Sequence, residues 1–134
     1  MHLSSDAKIL IVDDMTAMRT ALRRAFVQMG CRNIVEAADG AEAFAALEAN
    51  DDTALVISDW NMEPMDDLAL LAAVRAAVRL QELPFILMSS EADQRLRDKA
   101  SAVGASLVLQ KPFDVEVLRK AIDELVAPKI DKKI

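Results

Sequence analysis

Short apolar runs alternate with longer amphipathic stretches along this chain from Lys8 to Val126. Ile9-Leu10-Ile11-Val12 is continuous and ends at Asp13-Asp14, the pattern of a strand buried on both faces. Ala54-Leu55-Val56-Ile57 repeats it, as does Phe85-Ile86-Leu87-Met88 between Pro84 and Ser89-Ser90. Asn33 to Ala37 mixes polar and apolar residues, which predicts a less buried edge strand. A short fifth run, Leu107-Val108-Leu109, stops at Gln110-Lys111-Pro112. Between these runs the spacing turns helical. Met18, Leu22, Ala25, Phe26 and Met29 predict a first helix, closed by Gly30. Ala41 to Ala49 predicts an alanine-rich second helix, and Leu68 to Val78 a third with Leu70, Leu71, Val74 and Val78 inward. The intervening Asn61 to Asp67 reads as a loop. Ala92 to Val103 predicts a fourth helix with a thin stripe of Ala92, Leu96, Ala100 and Val103. Asp114 caps a closing helix carrying Val115, Leu118, Ala121, Ile122 and Leu125, which Pro128 ends.

Strand-then-helix alternation forces parallel strands with right-handed crossovers and helices on both faces. The mixed strand at Ile34 belongs at an edge and the apolar strands at Leu10 and Val56 in the middle. The expected fold is therefore α/β, a doubly wound five-stranded parallel sheet of order 2-1-3-4-5. Residues 1–134 are expected to form one domain with a core over 8–126 and flexible tails at 1–6 and 128–134.

Composition narrows the chemistry. The chain has 134 residues, is 53% hydrophobic and 28% charged, and so is globular in character. No apolar run approaches the ~20 residues that span a bilayer, and residues 1–6 lack the regions of a signal peptide, so a cytoplasmic protein is expected. Cys31 is the only cysteine and His2 the only histidine, which excludes an internal disulfide, a cysteine zinc site and histidine-base catalysis. A net charge of −6 argues against nucleic-acid binding. Carboxylates, hydroxyls, lysines or a bound hard cation must do the work.

In an open parallel sheet the strand carboxyl ends share one rim, and ligands bind where the strand order reverses. The residues just past the strands are Asp13 and Asp14, then Asp59, Ser89 and Lys111. Taken singly, each is an ordinary turn former or helix cap. Together, three carboxylates on one rim repel one another unless a cation neutralises them. Magnesium suits that role because it takes few carboxylates and accepts phosphate oxygens. Asp59 is then placed as a nucleophile for an aspartyl phosphate, with Lys111 to balance the arriving charge and Ser89 to donate a hydrogen bond to it.

The acidic pair Asp13-Asp14, the segment Ser58-Asp59-Trp60-Asn61-Met62, the spaced Ser89, and Lys111-Pro112-Phe113 together resemble a response-regulator receiver domain. The single-domain CheY-like chemotaxis regulators are the most similar group, and the resemblance covers Lys8 to about Val126. It implies that a histidine kinase or phosphotransfer protein phosphorylates Asp59, and that Mg2+ is bound by the Asp14 and Asp59 side chains, the Asn61 carbonyl and, through water, Asp13. It further implies that Lys111 contacts the phosphoryl group, that Ser89 moves toward it with the following loop, and that the peptide before Pro112 is cis. A monomer, no nucleic acid and no membrane insertion are expected.

Three departures bear on output. Val108 stands where the family carries an aromatic switch residue, so the target-binding face of fourth helix, fifth strand and last helix must signal by rearrangement near Ser89 and Ser90. Asp67 replaces a loop glycine, and in Met62-Glu63-Pro64-Met65 the proline comes one residue late, which bears on loop geometry. Asn61 and Glu91 occupy positions that tune loss of the phosphoryl group, and intermediate self-dephosphorylation is expected. Arg95, Arg97 and Lys99 could grip an acidic partner or a nucleotide second messenger, or simply form a solvated face.

The leading expectation is a stand-alone switch that binds a target protein and catalyses only its own phosphorylation and dephosphorylation. A phosphate sink or phosphorylation-independent adaptor remains the alternative. A magnesium phosphatase would want an acid two residues after the nucleophile, where Asn61 stands. A flavodoxin-like cofactor binder would need a phosphate loop where Asp13-Asp14-Met15 stands.

Overall fold

In the computed structural model, which describes residues 5–60 and 67–126, every strand of the expected sheet forms. The elements are β1 (Lys8–Val12), α1 (Thr16–Gln28), β2 (Asn33–Ala37), α2 (Gly40–Ala49), β3 (Thr53–Asp59), α3 (Asp67–Ala76), a 3-10 turn (Val78–Leu80), β4 (Phe85–Ser89), α4 (Gln94–Val103), β5 (Leu107–Gln110) and α5 (Val115–Val126). All neighbours pair in parallel in the order β2-β1-β3-β4-β5, as the burial pattern of the strands predicts. The mixed strand β2 is an edge.

Alternate strand residues feed two cores, one on each face of the sheet. Leu10, Val56, Phe85, Leu87 and Val108 pack with Leu47 of α2, Leu70 and Val74 of α3, and Leu96 and Ala100 of α4. Ile9, Ile11, Leu55, Ile57, Ile86 and Met88 pack with Leu22 and Phe26 of α1 and with Leu118 and Ile122 of α5. Continuous apolar runs are thus explained, because both faces of the central strands are dry.

Helix ends follow local chemistry. Asp39 accepts from the Glu42 N–H at 2.8 Å while Glu42 accepts from Ala38 N–H at 3.1 Å, so α2 begins one residue earlier than the alanine pattern implied. Asp93 caps α4 through Leu96 N–H at 2.9 Å, which moves its start past Ala92. Asp114 does the same for α5 through Val117 N–H. Gly30 (φ +94°) closes α1, where Cys31 N–H returns to Phe26 and Gly30 N–H to Val27.

Two expectations are corrected. Val78 is not on an inward helix face: α3 stops at Ala76, the chain tightens into a 3-10 turn, and Val78 is 84% exposed while Leu80 is buried in its place. Arg75 holds that turn, donating to the carbonyls of Leu80 (2.8 Å) and Gly104 (3.0 Å). Asp67 is the first residue of α3, not a loop residue, and no non-glycine residue among those described has a positive φ. Within the expected tail at 1–6, Asp6 is paired with Arg32 at 2.8 Å. The tail at 128–134 lies outside the described residues.

Candidate phosphoacceptor site

The sheet places the site by strand ends alone. Val12 is paired with Ser58, Asp59 with Met88, and Ser89 with Gln110, so Asp13, Asp59, Ser89 and Lys111 emerge along one rim. Backbone bonds fix their exits: Asp13 N–H donates to Ala37 O at 3.1 Å, Trp60 N–H to Met88 O at 2.7 Å and Lys111 N–H to Ser89 O at 2.7 Å. The Lys111–Pro112 peptide is cis, as the family resemblance implies.

Asp13, Asp14 and Asp59 each bring a carboxylate oxygen to within 4.8 Å of the other two. Asp13 is 1% and Asp59 9% exposed, whereas Asp14 faces solvent. Asp13 Oδ1 accepts from Met15 N–H at 2.9 Å at the entrance to α1. Its Oδ2 is buried without a hydrogen-bond donor among the described residues, its nearest cation being Lys111 Nζ at 3.9 Å. Burial raises the Asp13 pKa above the usual carboxylate value. The Met15 N–H opposes that shift, the Asp59 charge adds to it, Lys111 opposes it and Asp14 adds to it. Lys111 Nζ itself donates to Asp59 Oδ1 at 2.5 Å. Among the described residues one lysine, in reach of Asp13 and Asp59, faces three crowded carboxylates, which leaves uncompensated negative charge and one buried oxygen without a hydrogen bond. That is a donor set a hard, oxygen-seeking cation fits.

Ser89 is buried at the end of β4, where its Oγ accepts from Glu91 N–H at 3.1 Å. The Glu91 residue itself is exposed. Val108 is 7% exposed in the core below the rim, so it is strand packing and supplies no swinging ring. Beside Asp59, Trp60 packs on the α2–α3–α4 core and borders a cleft of about 320 Å³ flanked by Ser89, Ser90, Arg95 and Lys99. Arg97 is turned away from this cleft, toward the carbonyls of Ala92 and Val108. Asn61 and the Met62-Glu63-Pro64-Met65 segment lie outside the described residues.

Two groups of residues were not singled out by sequence pattern. Arg19 stands off the apolar stripe of α1, as Arg23 and Arg24 do. It donates to Asp13 O at 2.6 Å and to Glu36 at 3.0 Å, holding the start of the acidic loop against β2. Arg23 completes the pair with Glu36 at 2.7 Å. The hydrogen bond from Arg23, then that from Arg19, pulls the Glu36 pKa below its ordinary value. Gln110 stood only as the residue before Lys111. Its amide accepts from Ala92 N–H at 2.8 Å and donates to Ser90 O at 2.5 Å. A long side chain reaching sideways along a rim leaves no periodic trace, although an exposed glutamine ending a strand was a cue to its capacity for both donation and acceptance.

The family model described as the response regulator receiver domain matches residues 9–123. The chemotaxis protein CheY1 of Helicobacter pylori is 35% identical over 116 residues, which cover 87% of this chain and 94% of that protein. The probable chemotaxis protein CheY of Rhizobium etli is 36% identical over 123 residues, covering 92% of this chain and 95% of that one. Among solved structures, the chemotaxis response regulator CheY4 of Vibrio cholerae superposes with a TM-score of 0.84 at 30% identity, covering 90% of this chain and 99% of that chain.

Proposed function

This chain belongs to the response regulator receiver domain family, and from that premise we propose that it is a stand-alone chemotaxis-type switch whose phosphoacceptor is Asp59. The observation that carries the reading is the Asp59–Lys111 pair at 2.5 Å beside the buried Asp13 Oδ2, which accepts no hydrogen bond among the described residues. Curated relatives of nearly this chain's span, with 94–95% of their length matched, support a switch that works through its own surface.

The Asp59 carboxylate attacks the phosphorus of a phosphohistidine on a kinase or phosphotransfer protein. An O–P bond forms, the N–P bond to the donor breaks, and the leaving imidazole takes a proton. Attack by water later returns Asp59 and inorganic phosphate. Lys111 gives up part of its bond to Asp59 Oδ1 and turns its charge to the phosphoryl oxygens. Ser89 donates its hydroxyl proton to one of them while keeping its lone pairs for Glu91 N–H. Arg19 keeps Asp13 in place from behind. Asp14, Asp59, the Asn61 carbonyl and, through water, Asp13 would hold Mg2+, which when bound offsets negative charge on the carboxylates and the phosphoryl group. Asn61 and Glu91 would tune the hydrolysis step. The target protein would read the face formed by α4, β5 and α5, where Ser90 and the loop after Ser89 meet α4.

Trp60 is the built-in reporter. Its fluorescence should change on adding magnesium and again with beryllofluoride or a small phosphodonor, and Asp59→Asn should abolish the second change. An identical second change in Asp59→Asn would sink the acceptor assignment. A pull-down that recovers the same proteins with and without beryllofluoride would instead favour a sink or adaptor.

A further inference from the structure

The loop between β4 and α4 has little regular structure of its own, yet several of its peptide groups are taken up by side chains. Glu91 N–H goes to Ser89 Oγ at 3.1 Å. Ser90 O and Ala92 N–H go to the two ends of one amide, that of Gln110, at 2.5 and 2.8 Å. Ala92 O accepts from Arg97 Nε at 2.9 Å, and the same guanidinium donates through Nη1 to Val108 O at 3.0 Å. Gln110 Nε2 also lies 3.2 Å from Lys111 O. Ser89, Gln110 and Arg97 thus form one connected chain of hydrogen bonds. It runs from the hydroxyl beside the acceptor, through Ser90 to Ala92, to α4 and to the backbone of Val108.

Resting on the reading of Asp59 as acceptor, we infer that Gln110 and Arg97 are positioning residues that carry the displacement of the Ser89 loop to the α4–β5 face. Val108 is a small, buried side chain and cannot supply this link by swinging inward. Its carbonyl is held by Arg97 instead. The physical basis is directional: each amide and guanidinium contact has one well-aligned geometry, so a shift of Ser90 or Ala92 must drag Gln110 and Arg97 or break the hydrogen bonds that hold them. Both ends of the Gln110 amide are engaged, so the loop cannot slide past it. Gln110 adjoins Lys111, so the same amide senses both groups that would meet the phosphoryl oxygens. Output then rests on a polar strut, not on an aromatic ring.

Amide shift changes on saturation with magnesium and beryllofluoride test this in the full chain. Two sets of amides are followed: Trp60, Ser89 and Glu91 near the acceptor, and Ser101, Ser106 and Val108 on the far face. In the native chain both sets should move. In Gln110→Met and Arg97→Met the near set should keep its response, with beryllofluoride affinity held within about threefold, while the far set loses at least about half its amplitude. Gln110→Glu, which keeps the acceptor for Ala92 N–H but loses the donor to Ser90 O, should fall between. A merely structural role would disturb both sets together or neither. Full far-set amplitude in both methionine variants overturns the strut. A native far set that stays still while the near set moves overturns it too, and leaves the acceptor reading standing. A near set unmoved in the native chain overturns both.

Discussion

The acidic rim and the α4–β5 face are joined by the loop between β4 and α4 but are built by different means. Rim residues are set by backbone: Asp59 and Ser89 end their strands, Asp13 and Lys111 directly follow theirs, and the register of four strands brings them together. The α4–β5 face is set by side chains, through long amide and guanidinium groups that reach over the loop from Gln110 and Arg97. On the proposed reading, chemistry that tolerates little positional error is mounted on the stiffest framework available, while the part proposed to move is mounted on rotatable bonds.

Breaking the rim should give the largest effect. Lys111→Met removes the cation that Asp59 and Asp13 share, and phosphoryl transfer from a small donor should slow about 100-fold. Magnesium binding should tighten, by about fivefold, because unit charges 4 Å apart exchange about 1 kcal/mol even in a water-like medium. Slower transfer with tighter metal binding, read from donor kinetics and from Trp60 titration, separates charge balance from general damage.

On the other region, Val108→Ala should cost about 2 kcal/mol in urea unfolding, as removal of buried methyl groups does. Transfer kinetics should stay within about twofold of the native chain, since stability and chemistry at separate sites are close to independent. A large kinetic defect would dissolve the contrast between the two regions.

The smallest effect lies behind both, at the Arg19–Glu36–Arg23 cluster. Glu36→Gln should lower stability by about 1 kcal/mol at neutral pH, a modest value suited to a half-exposed ion-pair network. The folded-state pKa of Glu36 lies below its ordinary 4.5, so its contribution is present above that value and is lost as pH falls through the folded pKa. The gap between native and variant should therefore close on acidification, as urea midpoints measured from neutral pH downward would show.

The same contrast explains what the sequence made legible. Both-face burial makes a strand a continuous apolar run, so β1, β3 and β4 could be read directly, and with their ends Asp13, Asp59 and Ser89, while the shorter run of β5 marked Lys111. Local capping chemistry shifted the starts of α2 and α4 by one or two residues. Val78 misled because its spacing continues the helical stripe of α3, yet tertiary contacts of Arg75 favour a tight turn there. The contacts of Arg19, Arg97 and Gln110 left no periodic trace, because a flexible polar side chain can face water or span several ångströms to a carbonyl from the same position in the pattern.

The parallel topology also has a consequence for how the protein comes into being. Asp13, Asp59 and Lys111 meet only when β1, β3 and β5 have been assembled in one sheet, and β5 is the last strand of that sheet in chain order. Contacts of such long sequence separation form late in folding. A nascent chain on the ribosome that has already paired β1 with β3 holds all three acidic residues, Asp13, Asp14 and Asp59, but not the lysine that follows β5. Asp59 thus acquires its full electrostatic setting only with the completed sheet, and on the proposed reading of Asp59 as acceptor a partly made chain would take phosphoryl groups from a donor less efficiently than a finished one.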